Sequence, residues 1–113
     1  MEHFHSPRNA GEMAAATAAG TATRNGNAPR VTIYLKVDDE AVAAASFTTV
    51  GCGATIACCS ALTEMVTGQP VEECRMIAAQ QVIDALDGIP SDKDFCAQIA
   101  VNALCDALSK LGD

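Results

Sequence analysis

From Val31 onward apolar and polar residues alternate, with Val31, Ile33, Leu35 and Val37 separated by Thr32, Tyr34 and Lys36. A two-residue period puts every second side chain on one face and predicts a strand with one buried face. Asp38-Asp39-Glu40 predicts the turn, and Val42–Val50, β-rich in its last half (Phe47, Thr48, Thr49, Val50), the second arm of a hairpin. Gly51-Cys52-Gly53 breaks that strand. Beyond it the period becomes helical: Ile56, Cys59, Leu62 or Thr63, and Val66 form one stripe of a helix over 54–67, stopped by Gly68. Pro70 as first helical residue, with Glu72 and Glu73 in the first turn, predicts a further helix to Leu86, broken near Ala78 and stopped by Gly88. Asp94 as N-cap opens a last helix that buries Ala97, Val101, Leu104, Leu108 and Leu111. Ala14–Asn27, rich in Ala, Gly, Thr and Asn, predicts a flexible stretch, and residues 1–29 a partly flexible N-terminal segment. Strands first and helices after predict an α+β fold, with helices packed on one face of a small antiparallel sheet.

A length of 113 residues fits one domain. Half of the residues are apolar but only 4% are aromatic, so the core is expected to be thin and built from small side chains. The net charge of −7 argues against nonspecific binding to nucleic acid or anionic membranes, which draws on surplus Lys and Arg. No apolar run approaches the ~18–20 residues of a membrane span. Met1-Glu2-His3 lacks the basic-then-apolar pattern of a secretory signal. The expected location is cytoplasmic.

In that compartment thiols stay reduced, so the six cysteines (Cys52, Cys58, Cys59, Cys74, Cys96 and Cys105) are not read as a disulfide framework. No CxxC pair is present, which removes zinc ribbons and thioredoxin-type motifs. For most of the six, packing as a small hydrophobe is the simpler reading, and Cys74 and Cys105 are assigned to it. Cys52 and Cys96 differ. Cys52 lies between two glycines at a strand-to-helix junction, and Cys96 near the start of the last helix. There unpaired N–H groups and the positive end of the helix dipole are expected to lower a thiol's pKa. The flanking glycines let the backbone approach a bulky group. His3, third from the amino terminus, has a Cu(II)- or Ni(II)-binding geometry that arises by chance and is read as incidental. Lys93 either steadies an anion beside Cys96 or is a solvated loop lysine. Glu72 and Glu73 are read as helix N-terminal charge.

Thr48–Glu64, TTVGCGATIACCSALTE, resembles the signature of the NifU/IscU iron–sulfur scaffold family, which runs phenylalanine-x-threonine-x-GCG-x-x-I-A-S-S-S and then T-E. His3–Met13 (HFHSPRNAGEM) is similar to the family's N-terminal segment, Thr32–Val37 (TIYLKV) to its first strand, and Ile89–Cys96 (IPSDKDFC) to its leucine-proline-proline-x-lysine-x-histidine-cysteine stretch. The resemblance implies an α+β domain with about three antiparallel strands. It also implies a non-enzymatic role in holding a 2Fe–2S cluster, with sulfur received from a cysteine desulfurase and the cluster passed to a recipient apo-protein. Cys52 matches the family's second cysteine ligand and Cys96 its third. Asn27-Ala28-Pro29 stands where the family has cysteine-glycine-aspartate, so the first ligand and the aspartate linked to cluster lability are replaced. Phe95 stands in place of the ligand-adjacent histidine. Ile89, Pro90 and Lys93 remain of the chaperone-recognition stretch, which keeps an Hsp70-type chaperone among the candidate partners, while Ser91 replaces its second proline.

Irons of a cluster are normally held by four thiolates or histidine substitutes, and Cys52 with Cys96 cannot close that shell in one chain. Three arrangements remain open. Two protomers each contribute Cys52 and Cys96 across a twofold axis; Cys58 or Cys59, which replace family serines, enter the site; or the site is empty and the domain is a partner-binding or regulatory relative. A cluster without the aspartate and histidine would be more persistent and drier. The metal is expected to be iron or a 2Fe–2S cluster, with zinc as the other candidate. A persulfide-accepting thiol enzyme is the weakest reading, since no histidine other than His3 and His5 is available as a base.

Overall fold

A computed structural model of the chain describes residues 11, 13, 16–89 and 93–111. Three strands, β1 (Ala18–Arg24), β2 (Asn27–Asp38) and β3 (Ala41–Val50), form an antiparallel sheet in the order β1-β2-β3. Both connections are two-residue turns with positive φ at both positions: Asn25 at 53° and Gly26 at 81°, then Asp39 at 53° and Glu40 at 62°. That is the type I′ geometry, whose twist matches the twist of the paired strands. The flexibility expected over Ala14–Asn27 is therefore corrected across Ala18–Asn27, which is a strand, a tight turn and the start of β2. TIYLKV accordingly lies in the second strand.

The alternation of β2 places Val31, Ile33 and Leu35 on the buried face, with Gly20 opposite Ile33 on one side and Phe47 opposite it on the other. The described residues form four helices, α1 (Gly53–Val66), α2 (Val71–Cys74), α3 (Ala79–Ala85) and α4 (Asp94–Ser109), of which α1 and α4 cover the sheet while α3 packs against both of them. The fold is α+β, as the pattern predicts. The break near Ala78 is present, because Ala78 is extended (φ −108°, ψ 157°) between α2 and α3. At the end of α3 Asp87 and Gly88 both have positive φ, and the Gly88 N–H bonds the Ile83 carbonyl at 2.9 Å. That closes the helix by the Schellman pattern.

Helix α1 is buried on nearly every side rather than along one stripe, since β3, α3 and α4 all pack against it. Its small residues Ala54, Ala57, Cys58, Cys59 and Ala61 permit this. Helix α4 lies on β1 and β2. It buries Ala97, Val101, Leu104 and Leu108 as expected, with Leu111 half-buried, and Cys96 and Ala100 besides. Cys105 is exposed, which corrects its assignment to packing.

Both sheet edges are occupied. On β1 the Thr21 N–H donates to the Asp106 carboxylate at 3.0 Å, and Lys110 Nζ donates to the Ala19 carbonyl at 3.0 Å. The Thr21 amide, and then Lys110, hold the Asp106 carboxyl below its ordinary range. On β3 the Val42 N–H bonds the Gln69 carbonyl and the Gly68 N–H returns to the Val42 carbonyl. Such cover keeps edge strands from pairing with other chains. Among the described residues no helix is long and apolar enough to cross a membrane. His3, residues 4–10, Glu12, Pro90 and Ser91 lie outside the described residues.

Candidate cysteine site

Cys52 leaves β3 in an extended conformation (φ −85°, ψ 177°) and is the N-cap of α1. Cys96 is the third residue of α4, which begins at Asp94 with Lys93 as its N-cap, one residue earlier than the sequence pattern suggests. Because α1 and α4 pack together, their amino ends bring these two cysteines, 44 positions apart in the chain, to one place. Thr55 joins them. Its hydroxyl donates to Cys96 Sγ at 3.2 Å and lies 3.7 Å from Cys52 Sγ.

The two thiols differ sharply. Cys52 is exposed, Cys96 fully buried. No cap hydrogen bond of full geometry joins the Cys52 side chain to its helix. Its sulfur nevertheless lies near the N–H of Thr55, the largest influence, and near the Thr55 hydroxyl and Ala54 N–H, which together outweigh burial and bring its pKa to about 7. Burial pushes the Cys96 thiol up; the Thr55 hydroxyl and Lys93 only partly offset this. The helix-start argument therefore holds for Cys52 and is corrected for Cys96, where desolvation exceeds what the Thr55 hydroxyl and the Lys93 charge offset.

Iodoacetamide is expected to modify Cys52 at a rate that rises through pH 7 and then levels, because the thiolate is the nucleophile. At pH 7 a thiol with pKa about 7 is half ionised, against roughly 1% at the ordinary value of 9.0, a gain of about fiftyfold in reactive form. The lower basicity costs up to about tenfold in intrinsic nucleophilicity, leaving a net advantage of about fivefold over an ordinary thiol. Peptide mapping against pH reads this directly; a Cys52 rate still climbing past pH 8 would contradict it.

Cys58 and Cys59 lie deeper along α1, both fully buried. Burial pushes the Cys58 thiol up to about 12, with Cys96 and Cys52 adding to the effect, and raises Cys59 further still. Among the described residues no group of three or more His, Cys, Asp or Glu side chains is placed to hold a metal ion. Asn27, which stands in place of the family's first ligand, opens β2, and Pro29, in place of its aspartate, reaches the site margin: a Cβ on Gly51 would stand 3.0 Å from Pro29 Cβ. Phe95 is capped by the Arg24 guanidinium, 4.1 Å above the ring centroid. This cation–π contact ties the β1–β2 hairpin tip to the start of α4. Thr55 has no obvious signal in the sequence, because what gives it meaning is the proximity of Cys96.

A three-stranded antiparallel sheet whose covering helices converge two thiols at their amino ends defines a small α+β cysteine-site domain. The chain belongs to the NifU-like N-terminal domain family, whose family model matches residues 1–112. It is 38% identical over 108 residues to the iron–sulfur cluster assembly scaffold protein IscU 1 of Archaeoglobus fulgidus, covering 96% of this chain and 71% of that protein. It is also 38% identical over 98 residues to the nitrogen fixation protein NifU of Azotobacter chroococcum, covering 85% of this chain and 32% of that protein. The fold is similar to the crystal structure of a putative SUF-system iron–sulfur cluster assembly scaffold from Fervidobacterium islandicum, with a TM-score of 0.78 at 18% identity over 96% of this chain and 92% of that one.

Proposed function

We propose that this protein is an iron–sulfur cluster assembly scaffold or carrier that holds its cargo through Cys52 and Cys96. The observation that carries this reading is the convergence of both thiols on Thr55 in a chain of the NifU-like family. The cargo is iron or a 2Fe–2S cluster. The two thiols fit half of a four-thiolate shell, and a second copy supplying the same pair completes it. Cys52, held partly as thiolate near neutral pH, would meet incoming iron first, and Cys96 would close behind it as its proton leaves. A cysteine desulfurase as sulfur donor, a recipient apo-protein and an Hsp70-type chaperone are the partners this role calls for.

Anaerobic reconstitution with iron, sulfide and a cysteine desulfurase tests the reading. One 2Fe–2S cluster per two chains, with the mass of a dimer in solution, is expected. Wild-type protein that retains no iron would overturn it in favour of a partner-binding relative without a cluster.

A further inference from the structure

Thr55 is buried in the first turn of α1, where a helical threonine ordinarily returns its hydroxyl to a carbonyl three or four residues back. Thr63, two turns on, does so, donating to Cys59 O at 2.8 Å and Ser60 O at 3.0 Å. Thr55 instead spends its proton on Cys96 Sγ, a partner on another helix, and lies 3.7 Å from Cys52 Sγ. Gly51 leaves the space this requires: a Cβ there would stand 2.9 Å from Thr55 Oγ1 and 3.0 Å from Thr55 Cβ. One hydroxyl thus contacts both candidate ligands, in a fully buried position backed by a residue that carries no side chain.

We propose that Thr55 is a positioning residue that presets Cys52 and Cys96 as a pair for one soft metal ion. The inference rests on the paired-cysteine reading above and deepens it. In the metal-free protein the hydroxyl donates to Cys96 and lies 3.7 Å from the Cys52 sulfur. When the thiols give up their protons to solvent and bind a cation, the donor bond to Cys96 remains and becomes charge-assisted, which strengthens it. The hydroxyl therefore favours the metal-bound state over the free one, beyond whatever the methyl group contributes to packing.

The test uses divalent cadmium alone, titrated anaerobically into the full chain and read by its thiolate charge-transfer band. Thr55→Val keeps volume and branching and removes the hydroxyl; Thr55→Ser keeps the hydroxyl and removes the methyl. Val is expected to weaken binding about tenfold, the scale of a hydrogen bond to a charged group, and Ser to stay within about twofold of wild type. The band should move to lower energy in Val alone, since a sulfur that loses a hydrogen bond gives up charge more readily. Thr55→Ala replaces Val if melting shows that Val does not fold. Equal affinity in Val and wild type would overturn the proposal, as would equal weakening in Val and Ser, the signature of packing. Cys52→Ser and Cys96→Ser test the underlying reading: if neither changes cadmium binding, the paired site itself fails and this inference with it.

Discussion

Alanine at either Cys52 or Cys96 is expected to reduce bound iron and sulfide after reconstitution to background, whereas alanine at Cys58 or Cys59 leaves loading near the wild-type level. The contrast follows from thiolate availability. A cluster shared by two copies draws two sulfurs from each, so removing one residue type removes two of four ligands at once. Replacement from within the chain is costly. Burial holds the Cys58 thiol up at about 12 while Cys52 lies at about 7, a difference of roughly five orders of magnitude in ionisation. Cys59 is raised still further. Cys96 is also raised by burial, but it has what the deeper pair lacks: the Thr55 donor and the Lys93 charge, both lowering it. The measurement is iron and sulfide per chain for the four variants, with melting curves to establish that each folds. Loading lost in Cys58→Ala, with folding intact, would place Cys58 in the ligand set and remove the need for a second copy.

Gly20→Ala is expected to be the most damaging single-methyl change in the sheet. Gly20 lies in β1 opposite Ile33, with the backbone of α4 close over it. A Cβ there would overlap Ala107 N and Ala103 O and stand 2.8 Å from Ala107 Cα. These are backbone atoms of a helix, so no rotamer change relieves the overlap and β1 and α4 must separate. Alanine in place of an extended glycine would by itself stabilise by about 0.4–1 kcal/mol through the unfolded chain. Overpacking costs about 1–3 kcal/mol, more where backbone must move, so the net is a loss of about 2 kcal/mol or more. For a domain of this size that lowers the melting temperature by about 10 °C. Ala107→Gly should not rescue it, because the overlap is with the main chain. A Gly20→Ala protein that melts within a degree of wild type would show that β1 and α4 are not in such close contact.

The same contact explains why β1 is hard to see in the sequence. A strand facing a helix at that distance has to be Ala-Ala-Gly-Thr-Ala, without the large β-branched residues that usually mark strands. A signal for it did exist: Asn25-Gly26 is the dipeptide that type I′ hairpins favour. It joins β1 to a β2 that begins four residues before the alternation becomes visible at Val31. Cys105 misleads for a related reason. It sits among Ala103, Leu104, Ala107 and Leu108, all buried, but on the exposed side of α4.

By itself the sequence determined the hairpin of β2 and β3, the strand-to-helix junction at Gly51-Cys52-Gly53, the break at Ala78 and the start of the last helix near Cys96. These follow from local periodicity, glycine and proline placement, and capping chemistry, which act within a few residues. The low pKa of Cys52 belongs with them, because its cause is the helix it caps. Only the tertiary structure decided that Cys96 is buried and its thiol raised, that Cys58 and Cys59 are fully buried with their thiols raised further, and that Thr55 links two thiols on different helices. Burial and contact across 41 residues of chain depend on how α1 and α4 pack, and no local pattern encodes the desolvation that this packing imposes.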